Sequence, residues 1–317
     1  MTVSRALRGE RRVDAVLVER VRDVARRMGY VPDPAARALA SQKSTQVLVL
    51  IPMLSNTLFV ELIESIHKVL FAAGYHELIG VTHYDRAEEE QLLRTYLPLR
   101  PAGLLLTGFD HSPAVRQLLA DTKIACVHMM ELGAEDETPQ TPCVGFSQAE
   151  AGAAITRHLL ERGRRRIAFC AGQLDARVLQ RAAGWRAMLE QQGLYDPALE
   201  LLWPQPTSMA LGAELLTHAL QRDPSIDALF FCNDDIAQGA LLEALRRGIP
   251  VPERLAIAGF NDLPGGDQML PPLTTVRTPR SAIGAESAQM LLRLMRGEAV
   301  AQPRLDLGYE LVLRQSS

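Results

Sequence analysis

"ALFFCNDDIAQGALLEALRRGIPVPERLAIAGFND" (residues 228–262) reads as one strand–helix–strand unit. Residues 228–233 and 255–260 are continuous apolar runs rather than alternating ones. That is the mark of strands covered on both faces in a parallel sheet. Residues 234–247 between them form an amphipathic helix. The same texture extends back to Gln46, with apolar strands at 47–52, 77–84, 103–108, 124–129 and 166–171. Amphipathic helices fall near 58–73, 87–98, 148–163, 176–192, 208–221 and 280–296. Such alternation predicts an α/β fold with right-handed crossovers. About four units pass before a Pro-rich, acidic stretch (133–142), and the pattern restarts at "VGFSQAEAG" (144–152). The expectation is two doubly wound lobes, with the ligand site in the cleft beyond the carboxyl ends of their strands.

Residues 1–45 are different in kind. They hold ten Lys/Arg against five Asp/Glu, a net of +5, whereas the other 272 residues hold 24 against 32, a net of −8. A basic head on an acidic body points to a polyanion met by the head alone. "VDAVLVERVRDVARRMGY" (13–30) places Leu17, Val21, Val24 and Met28 on one helical stripe, and Gly29 supplies a left-handed stop. Pro32 and Pro34 break the chain, Ala35–Ala40 can form a short helix, and Ser41–Thr45 reads as a linker. The expected division is a head over 1–33, a hinge helix and linker over 34–45, and a core over 46–317. Within the core, the first lobe takes about 46–146 plus 277–303 and the second about 147–276 plus 304–317.

Composition narrows the function classes. The 317 residues are 47% hydrophobic and 22% charged, with mean hydropathy near zero. No apolar run approaches the roughly 18–20 residues of a membrane span, and no apolar segment follows the first arginines as a signal peptide requires. A cytoplasmic protein is expected. Cys126, Cys143, Cys170 and Cys232 are widely spaced in or beside apolar stretches, which suits buried free thiols rather than disulfides or a metal site. There is no G-x-x-x-x-G-K-[ST] loop, no G-x-G-x-x-G after a first strand, no G-x-S-x-G and no H-E-x-x-H. An enzyme is poorly supported, and no cofactor, metal or catalytic residue is called for.

Polar chemistry concentrates instead at strand ends. Asn233 and Asp234 follow one strand, Asn261 and Asp262 another. Asp234 is the better helix cap, which leaves Asn233 to face the cleft. Arg177 and Arg181 stand four residues apart on one helix face, where both could clamp a carboxylate. The head suits a helix-turn-helix with a trailing hinge, whose second helix lies in the major groove with arginine addressing guanine.

"MTVSRALRG" and "VLVERVRDVARRMGYVPDPAARALASQKS" resemble the DNA-binding head of the LacI/GalR family of bacterial transcriptional regulators. "VLVLIPMLSNTLF", "HLLERGRRRIAF", "RAAGWRAML", the stretch quoted first and "PPLTTVRTPRSAIGAESAQMLL" resemble its core. The resemblance implies a periplasmic-binding-protein-like core, a homodimer, and operator affinity set by a small molecule in the cleft. It carries Thr2, Val3, Ser4 and Arg5 onto the recognition helix, with Thr2, Ser4, Arg5 and Arg8 as DNA-binding candidates. Leu39 matches the hinge leucine that wedges into the minor groove. Asn56 and Phe59 match the loop after the first core strand, and Arg181, four residues before Trp185, matches the ligand-binding arginine. Asn233 and Asn261 match polar effector contacts, the second usually Asp, and Ser147-Gln148 replaces the usual Asp-Asn.

Both departures imply a less acidic pocket, to which Arg177 adds positive charge, so an anionic effector is expected. "VGF", "LDARVLQR", "AIAGF" and "LDLGYEL" look most like the gluconate-operon repressor branch, which implies a sugar acid such as gluconate or 2-ketogluconate. The family's helix-turn-helix begins with a further helix ahead of this point. The resemblance therefore implies a head without its first helix, from a start codon placed late or from a true shortening, with Val3 and Leu7 uncovered and operator binding weak. A solute receptor on the same core calls for a signal peptide and no basic head. A sugar kinase or dehydrogenase calls for a phosphate loop.

Overall fold

Capped helices and doubly covered strands account for the architecture. The computed structural model describes Val3, Ala6 and residues 14–30, 44–133 and 141–317, and divides into two units, 1–45 and 46–317. In the first unit α1 (Ala15–Arg27) starts on the Asp14 carboxylate, which accepts from the amides of Val16 and Leu17. Gly29 at φ 61° ends it, and the Tyr30 amide reaches back to the Ala25 carbonyl. None of its residues is buried. Leu17, Val24 and Met28 of the apolar stripe are 39, 40 and 76% exposed, because periodicity sets a face but not what covers it. Val3 is exposed and Ala6 buried. The candidates Thr2, Ser4, Arg5, Arg8 and Leu39, with Leu7, the 35–40 helix and residues 134–140, lie outside the described residues.

The second unit holds β1 (Gln46–Ile51), β2 (His76–Val81), β3 (Gly103–Thr107), β4 (Cys126–Met129), β5 (Cys143–Gly145) and β6 (Ile167–Ala171). They are followed by β7 (Glu200–Leu202), β8 (Ala228–Phe231), β9 (Ala256–Ala258), β10 (Thr275–Arg277), β11 (Arg304–Asp306) and β12 (Glu310–Val312). Its helices are α2 (Thr57–Ala72), α3 (Arg86–Tyr96), α4 (Pro113–Thr122), α5 (Gln148–Glu161), α6 (Ala176–Gln191), α7 (Met209–Arg222), α8 (Asp234–Arg246) and α9 (Arg280–Met295). A six-stranded sheet runs β11-β5-β4-β3-β1-β2 and a four-stranded sheet runs β7-β6-β8-β9, parallel throughout. β10 and β12 pair antiparallel beside them. These are the two doubly wound lobes. Their inner strands are buried almost end to end, as in β6 and β8, where every residue is covered, while the edge strands β2, β7 and β11 are only partly covered.

Three local readings change. The run 77–84 does not stay extended: β2 stops at Val81, and His83 and Tyr84 turn into the left-handed region at φ 48° and 60°. α4 was not foreseen, since only Val115 of its ten residues is buried and its apolar pattern is faint; Ser112 caps it and Pro113 opens it. Arg304–Asp306, assigned by sequence to the second lobe, pairs with Cys143–Gly145 and closes the first sheet. The chain changes lobe a few residues later. Cys143, Cys170 and Cys232 are buried, Cys126 is half-buried, and all four are free thiols.

Helices of the second lobe touch backbone to backbone. A Cβ on Gly184 of α6 would stand 1.9 Å from the Ala149 carbonyl oxygen of α5, and one on Gly152 would stand 2.4 Å from that of Arg181. Gly184→Ala must push α5 and α6 apart. It is expected to cost about 1–3 kcal/mol of stability, measured as a lower urea midpoint at unchanged slope.

Candidate functional site

Both sheets reverse their order at one place. From β1 the chain goes outward to β2 and then back across to β3; from β6 it goes to β7 and back to β8. Crevices open beyond the carboxyl ends of strands at such switch points. The two crevices face each other across a narrow inner cavity lined by Asn56, Phe59, Asp175, Arg177, Arg181, Asn233 and Asn261, with Tyr84, Met130 and Gln173. An adjoining outer space of about 130 Å3 shares Tyr84, Asp175 and Arg177 and adds Asp85, Glu89, Asp110 and Glu131.

Six of the seven effector candidates line the inner cavity, and Gln148 stands behind it. Its side-chain amide donates to the Met130 carbonyl at 2.9 Å, and its oxygen accepts from Arg181 Nε at 2.8 Å. Arg181 Nη1 donates to the Cys232 carbonyl at 2.6 Å, and the guanidinium lies 3.9 Å above the Phe260 ring centroid. Among the described residues it has no ion pair, and its Nη2 makes no hydrogen bond. Burial lowers its pKa to about 10, so it remains a cation at neutral pH.

Arg177 is not the second half of a free clamp. Its Nε sits 3.2 Å from Asp175 Oδ1, and its guanidinium lies 5.8 Å from the Tyr84 ring centroid. Burial opposes its charge, but Asp175, then Tyr84 and Glu131, outweigh that and raise its pKa. Two arginines and one aspartate leave the inner cavity with a net of +1. Acid is still present, with Asp175 at the inner cavity and Glu131 at the outer space, and the inner cavity's uncompensated charge among the described residues is Arg181. Glu131 accepts from the side-chain amide of Gln180, and burial raises its pKa.

The capping assignment at β8 is reversed. Asn233 is the N-cap of α8, its Oδ1 accepting from the Ile236 amide at 3.1 Å, and its Nδ2 is left over. Asp234 is fully buried and accepts from the Leu263 amide and from Thr275 Oγ1 at 2.7 Å. Asn56 likewise caps α2, accepting from the Leu58 amide. Asn261 Oδ1 is buried with no partner.

Tyr84, Asp175 and Glu131 were missed by sequence. Asp175 had a readable signal, as a short acidic residue opening α6, where it accepts from the amides of Arg177 and Val178. Tyr84 had none, because its place depends on a left-handed backbone. Of the eight described non-glycine residues with positive φ, Tyr84, Met130, Gln173 and Asn261 line the inner cavity. Backbone strain gathers where side chains must be aimed at one point.

Burial, followed by the nearby Asp262 and Asp235 charges, lifts the Asp234 carboxyl to about 6, against roughly 4 in the unfolded chain. Between about pH 4 and 6 the folded chain holds a proton that the unfolded chain has released, so stability falls as pH rises through that window. Asp234→Asn is expected to flatten the stability–pH curve there, read from urea midpoints at half-unit pH steps.

Comparison with known proteins gives one account of this architecture. A periplasmic binding protein-like domain matches residues 156–317. The HTH-type transcriptional regulator GntR of Pseudomonas aeruginosa is 53% identical over all 317 residues, which span 92% of its length. The crystal structure of the transcription regulator GntR from Chromobacterium violaceum superposes with a TM-score of 0.83 at 53% identity, covering 86% of this chain and 99% of that one. A LacI-family transcriptional regulator from Silicibacter pomeroyi gives 0.90 at 33% identity, covering 100% and 95%.

Proposed function

The chain belongs to the LacI family of transcriptional regulators, in its GntR branch, and on that premise we propose that it represses sugar-acid catabolism genes under control of a sugar acid such as gluconate or 2-ketogluconate. The observation that carries the effector class is Arg181. A cation buried at the cavity wall, with no carboxylate partner among the described residues and with Nη2 unbonded, gains most from an anionic ligand. The ligand carboxylate meets Arg181. Its hydroxyls donate to the Asn261 Oδ1 and the Asp175 carboxylate and accept from the Asn56 and Asn233 amides. Phe59 covers the carbon chain. A neutral sugar would leave Arg181 uncompensated, which sets the preference for acids.

The basic head is the operator-binding part, with Thr2, Ser4, Arg5 and Arg8 at the groove and Leu39 wedging the minor groove. The chain acts as a homodimer in the cytoplasm. A ligand shifts a regulator only by its difference in affinity for two lobe arrangements. The sugar acid would favour the arrangement whose hinge spacing fits the operator poorly.

Calorimetric titration tests the effector: gluconate or 2-ketogluconate releases heat with a one-per-chain stoichiometry, and sorbitol does not. Arg181→Met should weaken binding at least about tenfold, the usual effect of deleting a charge-assisted hydrogen bond. No heat with either acid at millimolar concentration overturns the sugar-acid reading. Fluorescence anisotropy on operator DNA tests the rest. Affinity should fall steeply with salt, fall on Arg5→Ala, and fall on adding gluconate; an affinity indifferent to gluconate removes the regulatory role.

A further inference from the structure

Arg280 is a buried arginine outside the cavity lining, and its partners belong to both lobes. It opens α9, which packs on α2 and against β3, β4 and β5 of the first lobe. The fit to α2 is close: a Cβ on Gly284 would stand 2.0 Å from Ser65 Oγ. From this base the guanidinium reaches the loop after β9 in the second lobe. Nη1 donates to the Asn261 carbonyl at 2.5 Å, and Nη2 donates to the Asp262 carbonyl at 3.2 Å. Nη2 also donates to Glu61 Oε1 at 2.8 Å, two residues along α2 from Phe59.

The loop it holds is strained, with Asn261 at φ 109° and Asp262 at φ 51°. Two other arginines grip the same loop from the β10–β12 pair, Arg277 at the end of β10, which bridges to Asn261, and Arg314 just after β12. Arg277 Nε and Arg314 Nη2 each donate to the Asp262 carboxylate at 2.7 Å. They fix the loop to that pair. Only Arg280 also carries it to α2. The planar fork of arginine suits this, since one group must serve two carbonyls and a carboxylate at fixed angles.

We infer that Arg280 is a positioning residue that ties the strained loop 261–262 of the second lobe to α2 of the first, so that Asn261 and Phe59 are set by one shared contact. The inference rests on the sugar-acid reading only for the identity of the molecule felt there. A ligand pulling on Asn261 shifts its carbonyl, Arg280 follows, and Glu61 passes the displacement to α2.

Hydrogen–deuterium exchange on the full chain without ligand tests the tie. Arg280→Ala should raise exchange at 261–263 and at 57–61 together, by about tenfold, as expected for lost charge-assisted hydrogen bonds. Glu61→Ala should raise exchange at 261–263 several-fold, although among the described residues Glu61 makes no hydrogen bond or ion pair with them; being half-exposed, it also keeps the test open if Arg280→Ala folds poorly. Arg280→Lys should restore protection at 57–61 but not at 261–263, which a general loss of stability would not do. Unchanged exchange at 261–263 in Arg280→Ala, or an effect of Glu61→Ala confined to α2, overturns the inference. Gluconate titration of the same proteins keeps the two readings apart. Absence of heat in the unmodified chain overturns the sugar-acid reading and leaves the exchange result standing.

Discussion

A guanidinium taken out of water must find partners for its donors or lose several kcal/mol, and the cleft is arranged around that requirement at Arg181. Gln148 brings it the start of α5, the Cys232 carbonyl brings the end of β8, and the Phe260 ring brings the loop after β9. Gln148 in turn holds the Met130 carbonyl at the end of β4. One cation therefore assembles strand ends from both sheets and two helices of the second lobe. The same set of partners satisfies the charge only in part, and what is left over faces the cavity. Structure and ligand preference come from a single incomplete compensation.

The layered fold was legible because parallel strands carry continuous apolar runs, as at 228–233. Asn233 and Asn261 were legible at the ends of such runs and Arg177 and Arg181 by their spacing on the helix after one, whereas Asn56 and Phe59 came only from the resemblance to the LacI/GalR core. Their pairings were not. Nothing in the sequence distinguishes Asn233 from Asp234 as the cap; burial decides it, since only Asp234 meets both the Leu263 amide and Thr275. Arg177 and Arg181 look equivalent on a helical wheel, and Asp175 at the head of that helix separates them into a paired and an unpaired cation. Tyr84 lay beyond reach, because residues 82–85 continue the texture of β2 while the backbone turns left-handed.

Two kinds of constraint thus meet at the cavity. Charge burial fixes which groups can face each other, and left-handed backbone at Tyr84, Met130, Gln173 and Asn261 fixes how they are aimed. Each such residue costs conformational energy that the surrounding packing must over-determine. That condition is met at Asp262, where the carboxylate is held by two arginines and the carbonyl by a third. The strain is therefore local, and the sheets beneath it remain regular.

The glycines between helices carry a mechanical consequence. Gly184 abuts the Ala149 carbonyl, and Gly212 and Gly239 abut the carbonyls of Ile236 and Met209, where an added Cβ would stand 1.9 Å from the oxygen in each case. Helices meshed at backbone distance have no soft layer of side chains to absorb a push. α5 with α6, and α7 with α8, therefore pack as two closely meshed pairs, and a side chain added at any of these glycines must move a whole helix.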